Sequence, residues 1–263
     1  VNPAFTKTTG YTLEDVIGKS PKILKSGMQT PEFYSKMWKD LNRDGQWTGE
    51  LCNKRKNGEL YIEWLSIKVI YNEDKTVKMY MATFSDITEK KQADEIIWKQ
   101  ANYDLLTNLP NRHLFSDCLK REMKIANRTK KLLAILFIDL DYFKEVNDTY
   151  GHEVGDILLI EVAKRINNTI RATDTVARMG GDEFIAILSA VEDENDINKV
   201  AKLIIKKLSM PFDLNGINIT ISASIGISIY PKDSLLEKEL LIYADKAMYN
   251  AKKDGKGRNS FYN

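Results

Sequence analysis

Gly180-Gly181-Asp182-Glu183-Phe184 puts two glycines and two adjacent carboxylates at one turn, between Thr175-Val176-Ala177-Arg178-Met179 and Phe184-Ile185-Ala186-Ile187-Leu188. Both flanks are rich in strand formers, so the glycines read as the tip of a β-hairpin. A glycine tip lets a ligand approach the backbone closely. Asp182 and Glu183 supply hard oxygen ligands of the kind Mg²⁺ recruits, one or two carboxylates completed by substrate phosphates. A Gly-Gly-Asp turn is also an ordinary turn, so the stretch acquires meaning only from the residues around it.

Upstream, Leu132-Leu133-Ala134-Ile135-Leu136-Phe137-Ile138 is unbroken in its apolarity, as expected of a central strand covered on both faces. It ends in Asp139-Leu140-Asp141, and ligands of open α/β sheets bind at strand ends. A lone aspartate there would be read as a helix cap. Phe143-Lys144, Asn147-Asp148, Gly151-His152 and Gly155-Asp156 follow in a dense polar series, which suits a phosphate site built from Lys144 and free backbone N–H groups.

From residue 100 onward the chain resembles the GGDEF diguanylate cyclase family. The resemblance is carried by Asp104-Leu105-Leu106-Thr107-Asn108-Leu109-Pro110-Asn111-Arg112, the Asp139 to Asp156 series, the hairpin, Ser224-Ile225-Gly226-Ile227-Ser228 and Ala244-Asp245-Lys246-Ala247-Met248-Tyr249-Asn250-Ala251-Lys252, in family order. It implies an α/β (α+β) catalytic fold with a central, mostly antiparallel sheet related to the palm of nucleotide cyclases and polymerases. It also implies condensation of two GTP, one on each of two facing protomers, to cyclic di-GMP with release of pyrophosphate. By family position Asp139, Asp182 and the carbonyl of Leu140 are metal ligands for Mg²⁺ or Mn²⁺, two per GTP. Glu183 is the second essential carboxylate, as a ligand or as helper in deprotonating the attacking 3′-hydroxyl. Gly180, Gly181 and Phe143 border the substrate. Paired metal ions fit the chemistry, since they neutralise a triphosphate, and they relieve the repulsion between Asp182 and Glu183.

Asn147 and Asp156 resemble the family's base readers. An ionised aspartate only accepts hydrogen bonds, which matches the N1–H and amino donors of guanine and not the N1 acceptor of adenine. Lys144, Lys252 and one further cation are the expected polyphosphate holders. Here the chain departs from the usual pattern: Ala251-Lys252-Lys253-Asp254-Gly255-Lys256-Gly257-Arg258-Asn259 carries two extra residues, leaving Lys256 and Arg258 as alternatives, of which Lys256 keeps the spacing. Arg171-Ala172-Thr173-Asp174 matches the family's RxxD motif, implying product inhibition through Arg171 and Asp174.

The front of the chain resembles a PAS domain with its trailing PAC segment, through Asn2-Pro3-Ala4-Phe5, Thr9-Gly10-Tyr11, Val16-Ile17-Gly18-Lys19, Trp47-Thr48-Gly49-Glu50-Leu51, Asn53-Lys54-Arg55-Lys56-Asn57-Gly58-Glu59 and Asp86-Ile87-Thr88-Glu89. The family's first strand is missing or incomplete at this start. Turns at Lys56 to Glu59 and Asn72 to Lys75 separate three expected antiparallel strands, and Thr30-Pro31-Glu32 opens a helix with proline in its first turn. The segment after Gly18 lacks the cysteine of an adduct-forming light sensor. A histidine-ligated haem is disfavoured too, because His113 and His152, both in the catalytic half, are the only histidines. Trp47, Asn53 and Trp64 are candidates to line a non-covalent flavin pocket.

The expected boundaries are 1–88 for the sensor, 89–103 for a connecting helix and 104–263 for the cyclase. Read as helical from Asp86 through Asn102, this stretch spans roughly 25 Å at about 1.5 Å per residue, enough to carry a homodimer contact from the PAS domain towards the half-sites. The 263 residues hold a formal net charge of +2, which recommends no nucleic-acid partner. Two cysteines, Cys52 and Cys118, fall in different halves and argue for a reducing, cytoplasmic setting. No run has the length of a membrane span, and the start at Val1 suggests a piece of a longer protein. Two rival readings remain: a degenerate domain that binds GTP or cyclic di-GMP without catalysis, and a sensory scaffold.

Overall fold

A computed structural model describes residues Val1 to Asn263, which divide into two compact units, Val1–Ile97 and Trp98–Asn263. In the first unit, short helices α1 (Pro3–Thr9) and α2 (Leu13–Val16) precede α3 (Pro31–Asp44). Thr30 caps α3 by accepting from the Phe33 N–H, Pro31 occupies the first turn, and Gly45 ends the helix in the left-handed region at φ 70°. Three antiparallel strands follow in the order β1 (Gln46–Lys54), β2 (Leu60–Tyr71) and β3 (Val77–Asp86), matching the expected hairpins. Alternation sends Leu51, Leu65, Ile67 and Val69 inward against Met37 and Leu41 of α3. Helix α4 (Thr88–Asn102) corresponds to the expected connecting helix within a residue at each end.

The second unit is built on a five-stranded sheet. Its elements run α5 (Arg112–Thr129), β4 (Leu132–Asp141), α6 (Phe143–Tyr150), α7 (His152–Asn167), β5 (Thr175–Gly180), β6 (Glu183–Val191), α8 (Glu194–Leu208), β7 (Phe212–Leu214), β8 (Ile217–Ile219), β9 (Ser222–Tyr230), α9 (Glu237–Lys253) and β10 (Asn259–Phe261). The sheet order is β10-β9-β4-β6-β5, antiparallel except for the β10–β9 pair. The apolar run predicted to be a central strand is β4, with Leu133 to Leu136 fully buried. Even-numbered β4 residues Ala134, Leu136 and Ile138 pack with α7 and α8, whereas Leu133 and Ile135 pack with α5 and α9. That alternation decides which face receives Asp139.

Helix α9 lies close on β9 because Gly226 has no side chain. A Cβ there would stand 1.9 Å from the Ala244 carbonyl oxygen and 2.1 Å from the Met248 nitrogen. This contact holds the lysine-bearing end of α9 over the end of the sheet.

Candidate active site

The hairpin and β4 meet at one edge of the sheet. Residues Asp139 and Glu183 are direct register partners, and the Leu140 N–H donates to the Asp182 carbonyl at 3.4 Å. Gly180 and Gly181 adopt φ 142° and 53°, so the tip is formed by the residues that tolerate such angles. Neither Asp139 nor Asp141 caps the following helix. The N-cap of α6 is Tyr142, itself left-handed at φ 67° and without a side-chain cap bond.

The two β4 aspartates have different tasks. Asp141 is 2 % exposed and accepts from Ser222 Oγ at 2.6 Å, Ser224 Oγ at 2.8 Å and the Gly257 N–H at 3.0 Å, which ties the loop after α9 to β4. Asp139 is paired with Lys252 Nζ at 2.7 Å. Burial pushes the Asp139 carboxyl up from its usual range, Lys252 opposes this, and the charges of Asp182 and Glu183 add to the rise. No three His, Cys, Asp or Glu side chains converge on a metal cage. The set is therefore open, with surplus negative charge and a lysine in place, and it fits a cation whose remaining ligands come from phosphate.

The two residues expected to read guanine are brought together around a glycine. Asn147 Oδ1 is buried without a hydrogen-bond partner, and a Cβ on Gly155 would lie 1.9 Å from it. The exposed Asp156 follows Gly155 directly on α7. The Phe143 side chain is buried in the core at the start of α6. Lys144 is exposed on the first turn of α6. Of the two alternatives in the insertion, Lys256 sits with Nζ 3.9 Å from the centre of the Tyr142 ring, beside the carboxylate end of β4. The Arg258 side chain folds back instead, donating through Nε to the Lys256 carbonyl at 3.4 Å.

Arg171 and Asp174 lie apart from these groups, around a cavity of about 280 Å³ shared with Ser189, Asp196 and Val200. Asp174 is engaged by backbone, accepting from the Arg171 N–H at 3.0 Å and the Ser189 N–H at 3.1 Å. The Arg171 side chain is exposed at the mouth.

These features have counterparts in known proteins. The profile described as "Diguanylate cyclase, GGDEF domain" matches residues 101–258. The chain belongs to the GGDEF family. A PAS domain profile matches residues 1–89, so the sensor-plus-GGDEF architecture expected from the sequence is present. The chain is 45 % identical over 175 residues to the bifunctional diguanylate cyclase/cyclic di-GMP phosphodiesterase MucR of Pseudomonas aeruginosa, covering 66 % of this chain and 25 % of that protein. Diguanylate cyclase TpbB of the same organism is 43 % identical over 159 residues, covering 60 % of this chain and 37 % of its own length. The chain thus spans about a quarter to two fifths of these relatives. Among solved structures, the GGDEF domain of TpbB aligns with TM-score 0.60 and 41 % identity, over 61 % of this chain and 94 % of that one. The coiled coil and GGDEF domain of DgcB from Caulobacter crescentus, in complex with c-di-GMP, aligns with TM-score 0.60 and 28 % identity over 66 % and 93 %.

Inside the PAS domain the proposed flavin lining does not assemble. Trp47 and Asn53 face inward, but Trp64 is on the opposite face and 47 % exposed. The Asn53 amide is taken by the buried Glu63 at 3.0 Å, whose other oxygen accepts from Tyr61 OH at 3.0 Å. These residues do not fit the flavin expectation. Sequence reading also missed Arg178, which joins the hairpin tip to Asp104; its signal was an arginine two residues before the glycines within an otherwise apolar strand.

Proposed function

We propose that the GGDEF domain condenses two GTP into cyclic di-GMP and two pyrophosphates. The 3′-hydroxyl of one GTP attacks the α-phosphorus of the other, pyrophosphate leaves, and a second equivalent step closes the ring. The observation that carries this reading is the register setting Asp139 opposite Glu183, with Asp182 at the adjoining turn and Lys252 at the same strand end. Asp139, Asp182 and the Leu140 carbonyl would hold Mg²⁺ or Mn²⁺, which when bound neutralises triphosphate charge and makes the hydroxyl more acidic. Glu183 joins that set or accepts the hydroxyl proton. Lys252, Lys144 and Lys256 bind the polyphosphate, so Lys252 exchanges its bond to Asp139 for one to substrate. Asn147 and Asp156 select guanine through the vacant Asn147 Oδ1 and the acceptor-only carboxylate.

The same reading makes the chemistry depend on two protomers, brought together by the PAS domain and α4, with the PAS domain as regulator. Product inhibition is assigned to Arg171 and Asp174, supported by the cavity between them. Because both Asp174 oxygens already accept backbone N–H bonds, Arg171 supplies the main recognition of a nucleotide phosphate. Incubation with GTP and Mg²⁺ followed by nucleotide chromatography should yield cyclic di-GMP, abolished by Glu183→Ala. GTP binding with no cyclic product would identify a degenerate binding module instead. Titrating cyclic di-GMP into the parent and Arg171→Ala tests the inhibitory site; equal binding removes it.

A further inference from the structure

A hydrogen-bonded chain runs from the end of α4 to the hairpin. Asn111 donates through Nδ2 to the Ala101 carbonyl and through its backbone N–H to the Asn102 carbonyl, each at 2.9 Å. The turn between them closes on Asp104, whose N–H donates to the Leu109 carbonyl at 2.8 Å. Its carboxylate accepts from the Thr107 N–H at 2.8 Å and Thr107 Oγ1 at 2.6 Å. Arg178 completes the chain. Its Nη1 donates to both oxygens of Asp104 at 3.0 and 3.1 Å, while Nε and Nη2 donate to the Gly181 carbonyl at 3.0 and 2.8 Å. The Arg178 and Asp104 side chains are only 11 % and 22 % exposed.

What Arg178 grips is the glycine turn of the hairpin. The β5–β6 register shifts between Arg178 and Gly180, and the tip consists of two glycines, so the ladder does little to define the Gly181–Asp182 peptide. A planar guanidinium with a carboxylate on one edge and this carbonyl on the other does define it, and a lysine could not reproduce the fork. A pair serving stability alone would have no need of the Gly181 carbonyl. Although burial pushes the Asp104 carboxyl up, the Thr107 and Arg178 hydrogen bonds outweigh it and keep the group ionised.

We propose that Arg178 is a positioning residue which fixes the Gly181–Asp182 peptide and, through Asp104, makes the aim of Asp182 depend on the end of α4. Its effect on turnover rests on the cyclase reading; its effect on the hairpin does not. The test uses the full chain with Arg178→Lys and Asp104→Asn. Amide hydrogen exchange at Gly181 to Glu183 should accelerate in both variants while β4 keeps its protection. Turnover should fall about tenfold to a hundredfold, as expected for a catalytic group displaced by an ångström, with affinity for a non-hydrolysable GTP analogue within about threefold of the parent. The double variant should be no slower than the worse single one. Unchanged exchange at the tip in Asp104→Asn overturns the proposal, and so does a parallel loss of analogue affinity and turnover. If Arg178→Lys fails to fold, Asp104→Asn, which preserves shape, decides alone. A parent that makes no cyclic product refutes the cyclase reading, and the exchange comparison still decides the positioning role.

Discussion

Gly155→Ala should separate nucleotide recognition from folding. Gly155 is the fourth residue of α7 and does not have positive φ, so alanine is compatible with its backbone and gains about 1 kcal/mol of helix propensity. The new methyl would stand 1.9 Å from Asn147 Oδ1, 3.0 Å from Asn147 Cγ and 3.4 Å from Phe143 Cζ. The phenyl contact is ordinary, whereas the amide must swing away. That movement breaks no bond within the protein, since Oδ1 has no partner, and an off-rotamer amide costs about 0.5–1.5 kcal/mol. The two terms nearly cancel, so unfolding free energy should change by less than about 1 kcal/mol. On the proposed base reading guanine loses a partner, and an unmade buried hydrogen bond costs about 1–3 kcal/mol, or roughly fivefold to 150-fold in affinity. Calorimetric titration with non-hydrolysable GTP and ATP analogues, beside denaturant unfolding, reads both quantities. An unchanged preference for the guanine analogue would show that Asn147 does not read the base. A stability loss beyond about 2 kcal/mol would show that its side chain is core and not cradle.

Three further outcomes follow from contacts in the two units. Lys252→Met leaves Asp139 buried beside Asp182 and Glu183 without its 2.7 Å partner; the metal-free chain should lose about 1–3 kcal/mol, and calorimetry should show Mg²⁺ stabilising the variant more than the parent. Gly226→Ala drives a methyl into the Ala244 and Met248 backbone of α9, which cannot rotate aside, and thermal unfolding should report a loss of about 3 kcal/mol or more. Glu63 in the PAS domain has its carboxyl raised above the ordinary 4.5 by burial, against the hydrogen bonds from Tyr61 and Asn53. Its neutral form is thus favoured in the folded state, so its contribution is fully present below pH 4.5 and is lost as pH rises through the higher folded value. Glu63→Gln should flatten that part of the stability profile; an unaltered profile between pH 4.5 and neutrality would contradict the assignment.

Much of this was legible in the residue order because the signals are local. Turn glycines, alternation and the Thr30-Pro31 start define β1 to β3, α3, the β5–β6 hairpin and the buried β4 strand from contiguous stretches. Carboxylate pairs and spaced lysines likewise announce phosphate chemistry wherever they are folded. What escaped the sequence is long-range. Asp139 and Asp141 are equivalent as letters two positions apart, but only the approach of β9 and of Gly257 buries Asp141 under three donors and leaves Asp139 to Lys252. Trp64 and Asn53 have similar spacing credentials, and strand phase turns one outward while Glu63 captures the other. Spacing favours Lys256 over Arg258, but the left-handed backbone at Lys256 and its approach to the Tyr142 ring are not revealed by composition. The sequence by itself determined the elements, their two-unit grouping and the class of chemistry, because those depend on neighbours along the chain. The tertiary structure alone decided which carboxylate remains at the open edge, which asparagine keeps an unpaired oxygen, and that Arg178 holds the hairpin tip. Each of these is a contact between segments whose register and phase are set by packing.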